Sequence, residues 1–208
     1  MSNHPHENQQ IIFEGAEINS AKSAIILIHG RGATAESILT LTNEFKNDNY
    51  IYAAPQANGN TWYPYSFLSP VEANEPGLSS GLKVIDDLIK KLNASGILDN
   101  EIIILGFSQG ACLSLEYSAR NAKKYKAVIG LSGGLIGEKI NKNNYSGSFD
   151  KCPIFLGCSN IDPHIPEERV NESAEILEEF GASVTKRIYK NMGHTINQDE
   201  INFVKSIM

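Results

Sequence analysis

The stretch Gly106-Phe107-Ser108-Gln109-Gly110 combines residue types and a spacing that could do chemistry. A serine with glycines two residues before and two after suits a turn too sharp for side chains at 106 and 110. Such a turn strains the serine and lifts its hydroxyl above a sheet. The apolar run Glu101–Leu105 reads as a buried strand leading in, and Ala111–Arg120 reads as a helix leading out. That strand–turn–helix context is what a nucleophilic serine requires. The helix also presents its positive end to the serine's backbone.

A nucleophilic serine needs a base, and the base needs an acid to orient it. Where this serine turn joins strand to helix, the expected chain order is serine, acid, histidine. Five histidines compete. His4 and His6 lie in a polar terminus and are expected to play no part. His29 ends an early strand and precedes Gly30, and His164 stands two residues from an aspartate. His194, in the loop Asn191–Thr195, lies downstream of the acid candidates and is the expected base. For the acid, Asp150 precedes the run Pro153–Leu156 and falls at the wrong sheet edge, and Asp199 follows His194. Asp162 follows that run, at the carboxyl edge where ligands bind in open α/β sheets. The expected catalytic set is therefore Ser108, Asp162 and His194. The Gly-rich turn His29-Gly30-Arg31-Gly32 offers the backbone N–H of Arg31 to a developing oxyanion, with that of Gln109 as second donor. The Arg31 side chain has two readings: it faces the groove and favours acidic or polar substrates, or it lies on the surface with only its N–H in use. Cys112, behind the serine on the same helix, is expected to fill core.

These residues need a scaffold, and the chain supplies one. Candidate strands are Ile11–Phe13, Ala24–Ile28, Tyr50–Ala54, Glu101–Leu105, Ala127–Leu131, Pro153–Leu156 and Val184–Tyr189. Several lack polar alternation, as parallel strands covered on both faces do. Helical spacing joins Ile38 to Phe45, Leu82 to Leu92 and Val170 to Phe180, with Gly181 as a C-cap, and further helices follow Ser108 and begin near Gln198. The alternation predicts an α/β fold with a mostly parallel sheet, built as one domain over 1–208 with about ten flexible residues at the start. The segment Gln56–Gly77 stands outside this pattern; its Trp62, Tyr63 and Phe67 are expected to wall an acyl pocket.

Composition narrows the function. The formal charge is −6, with no basic block, so the electrostatic footprint of a nucleic-acid binder is missing. Three cysteines, without a C-x-x-C pair, argue against a disulfide framework and for a reducing, cytoplasmic setting. Met1–Gln10 carries no apolar h-region, and no apolar run approaches the ~20 residues of a membrane helix.

With these residues placed, the chain resembles the phospholipase/carboxylesterase family of α/β-hydrolases, which includes acyl-protein thioesterases, and within it the small bacterial carboxylesterases. The family's G-F-S-Q-G is matched at 106–110, its D-P-x-x-P at Asp162–Pro166 and its M-G-H at Met192–His194. The resemblance runs from Ala24 to about Phe203. It implies an α/β-hydrolase fold with helices on both faces of the sheet and no large cap domain. It also implies cleavage of small-molecule carboxylic esters or thioesters through an acyl-serine intermediate, without metal or organic cofactor. Acyl-protein thioesterases usually carry an apolar residue in place of Arg31, an Asp for Ala33, a His-Gly pair for Cys158-Ser159, and an apolar residue for His164. These departures direct the expectation to esters of small to medium acyl groups, with His164 added to the substrate-binding residues. An acyl thioesterase or lysophospholipase is the alternative, and a non-catalytic hydrolase-fold binding protein a remoter one; a homodimer stays open.

Overall fold

The computed structural model describes residues 4–208. Its centre is a sheet of seven strands: β1 (Ile11–Gly15), β2 (Ser23–Ile28), β3 (Tyr50–Pro55), β4 (Ile102–Phe107), β5 (Ala127–Leu131), β6 (Pro153–Ser159) and β7 (Ser183–Tyr189). The spatial order is β1-β3-β2-β4-β5-β6-β7. β1 runs antiparallel to β3, and every other pairing is parallel. Four helices connect strands, α1 (Ala35–Leu39), α2 (Gly77–Ala94), α3 (Gln109–Arg120) and α4 (Glu167–Glu179), and α5 (Gln198–Ile207) follows β7.

Strand parity sorts the core. Ala24, Ile26 and Ile28 of β2, with Ile102 and Ile104 of β4, face α2, α3 and α4, whose contributions include Leu88, Leu113 and Leu177. Ile25 and Leu27, with Ile103 and Leu105, face α1 and α5 through Ile38 and Val204. Both faces are covered, so the central strands read as unbroken apolar runs. This is the α/β-hydrolase arrangement expected from the sequence, and among the described residues no helix is long and apolar enough to cross a membrane.

The structure corrects several boundaries. The helix expected to run to Phe45 stops at Leu39 and tightens into a 3₁₀ turn over Thr40–Glu44. There Thr40 and Thr42 hydroxyls donate back to the Ser37 and Leu39 carbonyls, competing with the helical ladder. α2 begins at Gly77, five residues ahead of Leu82, and β6 continues through Gly157 and Cys158 to Ser159.

Within the stretch expected to be a flexible start, one side chain is packed inside. His6 is buried: its backbone N–H donates to Ser80 Oγ, its Nε2 bonds the Trp62 carbonyl, and its Nδ1 accepts from the Asn58 N–H, each at 3.0 Å. Trp62 is corrected as well. Expected to wall a pocket, it is fully buried, its indole N–H donating to the His29 carbonyl at 2.9 Å between the rings of His6 and His29. It carries the loop from below and does not line the cavity beside Ser108.

Trp62→Ala should therefore destabilise the fold by at least about 3 kcal/mol, the usual cost of emptying a large aromatic site, which thermal unfolding would show. A second prediction concerns α5. Asn197 and Glu200 cap its start reciprocally, but Glu200 is fully buried, its Oε1 has no hydrogen-bond partner, and burial pushes its carboxyl up to about 7. A carboxyl raised in the folded state costs stability as pH climbs from its unfolded value through the folded one. Glu200→Gln should thus be more stable than wild type above pH 7, by about 1–3 kcal/mol. The gain should vanish near pH 4.5, as denaturant titrations across that range would report.

Candidate active site

At the end of β4 the chain turns into α3 at Ser108, which has φ 54° and ψ −120°. A non-glycine residue held there is strained and persists only where its surroundings enforce it. Here they do. A Cβ on Gly106 would fall on the Gly110 carbonyl, and one on Gly110 would fall on the carbonyl of Ile28. The two glycines thus let α3 press against β2, and Ser108 is locked above the sheet by its N–H to Leu131 (2.9 Å) and its carbonyl to Cys112 (3.0 Å).

Two other strand ends deliver groups to this hydroxyl. The loop after β7 places His194 Nε2 2.8 Å from Ser108 Oγ, and its Nδ1 lies 2.7 Å from Asp162 Oδ2, on the loop after β6. The other oxygen, Oδ1, accepts the N–H groups of His164 (2.9 Å) and Ile165 (3.1 Å). An ionised carboxylate only accepts, so Nδ1 carries the imidazole proton and Nε2 is left to receive the serine's. Burial alone would raise the Asp162 carboxyl. The His194 hydrogen bond, the two N–H groups and the His194 charge outweigh it and hold the group below the ordinary carboxylate range. The His194 ring is gripped between Phe107 and His164, each with its centroid 5.0 Å away.

The Gly30–Arg31 turn passes directly over the serine: a Cβ on Gly30 would lie 3.4 Å from Ser108 Cβ. The backbone N–H groups of Arg31 and Gln109 have no hydrogen-bond partner among the described residues. Their side chains are occupied. Gln109 pairs with the loop like a strand, accepting from Trp62 N–H (2.9 Å) and donating to the Tyr63 carbonyl (2.8 Å). The Arg31 guanidinium donates to Thr61 Oγ1 and to the Tyr63, Pro64 and Tyr65 carbonyls. Arg31 is exposed and borders the cavity beside Ser108, but neither sequence-based reading anticipates that its donors are engaged by the loop.

Beside Ser108 opens a cavity of about 520 Å³. Tyr63, Phe67 and His164 line it together with Ile165, Cys112 and Arg31, and Trp62 does not. Burial is the main cause that pushes the Cys112 thiol up to about 12, and it also raises the phenol of Tyr63 beside it. Cys112 therefore presents a neutral, soft surface to the cavity rather than a thiolate. Sequence periodicity could place Cys112 on α3 but not at the cavity end of the helix. Among the described residues, no group of three or more His, Cys, Asp or Glu side chains could hold a metal ion.

Comparison with known proteins places the chain in a family. The family described as Phospholipase/Carboxylesterase matches residues 8–208. An acyl-protein thioesterase 1 of Saccharomyces cerevisiae is 30% identical over 93% of this chain and 94% of its own. The crystal structure of a phospholipase/carboxylesterase from Dyadobacter fermentans superposes with a TM-score of 0.95 at 44% identity, covering 99% of this chain and 97% of that one. A carboxylesterase structure from Bacillus cereus, at 17% identity and a TM-score of 0.78 over 96% and 93% of the two chains, shares the fold. Relatives bearing esterase and thioesterase names, matched along almost the full length, leave one conclusion: the chain belongs to the phospholipase/carboxylesterase family and is an ester or thioester hydrolase.

Proposed function

We propose that this hydrolase cleaves carboxylic esters of small to medium acyl groups with Ser108 as nucleophile, His194 as base and Asp162 as the acid that orients it. The observation that carries the reading is the hydrogen-bonded relay of Ser108 Oγ to His194 Nε2 at 2.8 Å and His194 Nδ1 to Asp162 at 2.7 Å. His194 takes the hydroxyl proton as Oγ attacks the acyl carbonyl. Asp162 keeps the productive tautomer and stabilises the imidazolium. The free N–H groups of Arg31 and Gln109 receive the oxyanion, each such donor being worth about 2.7–4 kcal/mol in the transition state. His194 then hands the proton to the departing alcohol, and water repeats the cycle to release the acid. A cavity of about 520 Å³ walled by Tyr63, Phe67 and Ile165 suits a modest apolar acyl group, and His164 borders the same space.

A thioester substrate is the second reading, favoured by the acyl-protein thioesterase names among the relatives. The relay serves either leaving group, and a thiolate needs less help from His194 than an alkoxide because its conjugate acid is stronger.

The test is hydrolysis of p-nitrophenyl esters from acetate to palmitate beside matched thioesters. Ser108→Ala should lower kcat by about 10⁴-fold or more, and Asp162→Asn by about 10⁴-fold through the wrong tautomer. Activity that survived Ser108→Ala would remove the assignment. An optimum at palmitate, or a thioester preference above about a hundredfold, would transfer the proposal to the second reading.

A further inference from the structure

Segment 61–67 borders the cavity without belonging to any helix or strand. Trp62, Tyr63 and Phe67 anchor it in the interior while Pro64, Tyr65 and Ser66 are exposed; backbone polar groups without a ladder need other partners, and here other parts of the chain supply them one by one. Gln109 serves the Trp62 N–H and the Tyr63 carbonyl. Asn74, fully buried, serves the Tyr65 N–H and the Ser66 carbonyl. The Gly137 N–H serves the Phe67 carbonyl at 2.7 Å.

Arg31 serves the rest. Its NH1 donates to Thr61 Oγ1 at 2.9 Å and to the Pro64 carbonyl at 3.0 Å; its NH2 donates to the Tyr63 carbonyl at 2.9 Å and the Tyr65 carbonyl at 2.6 Å. Three consecutive carbonyls thus curl around one planar cation, which also lies 5.9 Å from the Tyr63 ring centroid. A guanidinium has five N–H donors in a fixed fork, and only Nε–H is left over. With four donors committed, no fork remains for a substrate carboxylate or phosphate. Binding an anion is therefore not what this side chain is set to do.

We propose that Arg31 is a specificity-determining residue: by clamping residues 61–65 it fixes one wall of the cavity and so limits the length of acyl chain the site admits. The proposal rests on the reading that Ser108 is acylated within this cavity. The clamp is also tied to the reacting centre, since Arg31 spans from the turn above Ser108 to the loop with its own side chain. A lysine could not replace it, because an ammonium carries three donors in a tetrahedral rather than a planar set.

The experiment measures kcat and KM for p-nitrophenyl acetate and octanoate with wild type, Arg31→Ala, Arg31→Lys and Ser108→Ala, beside hydrogen exchange of peptides covering 61–67. With Arg31→Ala, the octanoate-to-acetate ratio of kcat/KM should rise on the order of tenfold, mainly through KM for the longer ester. Exchange should accelerate in 61–67 but not in β4. Arg31→Lys should fall between the two, and it keeps the test open should Arg31→Ala fold poorly. A ratio within about twofold of wild type in a folded variant, or an equal loss at both lengths, would overturn the clamp as a selectivity device. If Ser108→Ala keeps its activity, the site assignment itself fails, whatever Arg31 does; if Ser108→Ala is dead and the ratio is unmoved, the clamp alone fails.

Discussion

Everything at this site depends on how closely α3 approaches β2. Gly106 and Gly110 have no room for a Cβ, because the space each would enter is already taken by a backbone carbonyl. That contact forces Ser108 into a positive φ of 54° and leaves its hydroxyl above the carboxyl ends of the strands. Such strain costs on the order of 1–3 kcal/mol locally, and it is sustained by the fully buried apolar faces of β2 and β4 on either side. The same approach brings the Gly30–Arg31 turn over the serine.

Around this rigid elbow the rest of the site is made of loops held by side chains rather than by ladders. Two arginines do parallel work. Arg31 takes the carbonyls of residues 63–65, while Arg169, on α4, takes those of Leu135, Gly137 and Glu138 in the loop after β5. The two loops then meet where the Gly137 N–H reaches Phe67. Irregular backbone near an active site gains rigidity this way without a strand, which would have filled the cavity.

Buried histidines outside the relay serve the same end. His6 accepts from the Asn58 N–H and His29 from the Ala57 N–H, so both rings must be neutral in the folded protein. Burial, the leading cause, lowers both pKa values and favours that state. Trp62 stands between the two rings, linking the start of the chain to the turn above Ser108.

The sequence by itself determined the architecture and marked the residues whose types and spacing could do chemistry. Unbroken apolar runs imply a sheet covered on both faces, the paired glycines admit only a sharp strand-to-helix turn, and the positions of Asp162 and His194 after their strands put them at the same sheet edge as Ser108. Those signals are local, or follow from chain order, and so they survive without coordinates. Only the tertiary structure decided the roles of Trp62, His6, Cys112 and the Arg31 side chain. Their partners lie far away along the chain, 30 to 34 residues for the Arg31 guanidinium and 56 from His6 to the Trp62 carbonyl. No periodicity or spacing marks which aromatic residue lines a cavity and which supports it from below. That distinction is made by packing, when side chains from separate segments compete for one buried space.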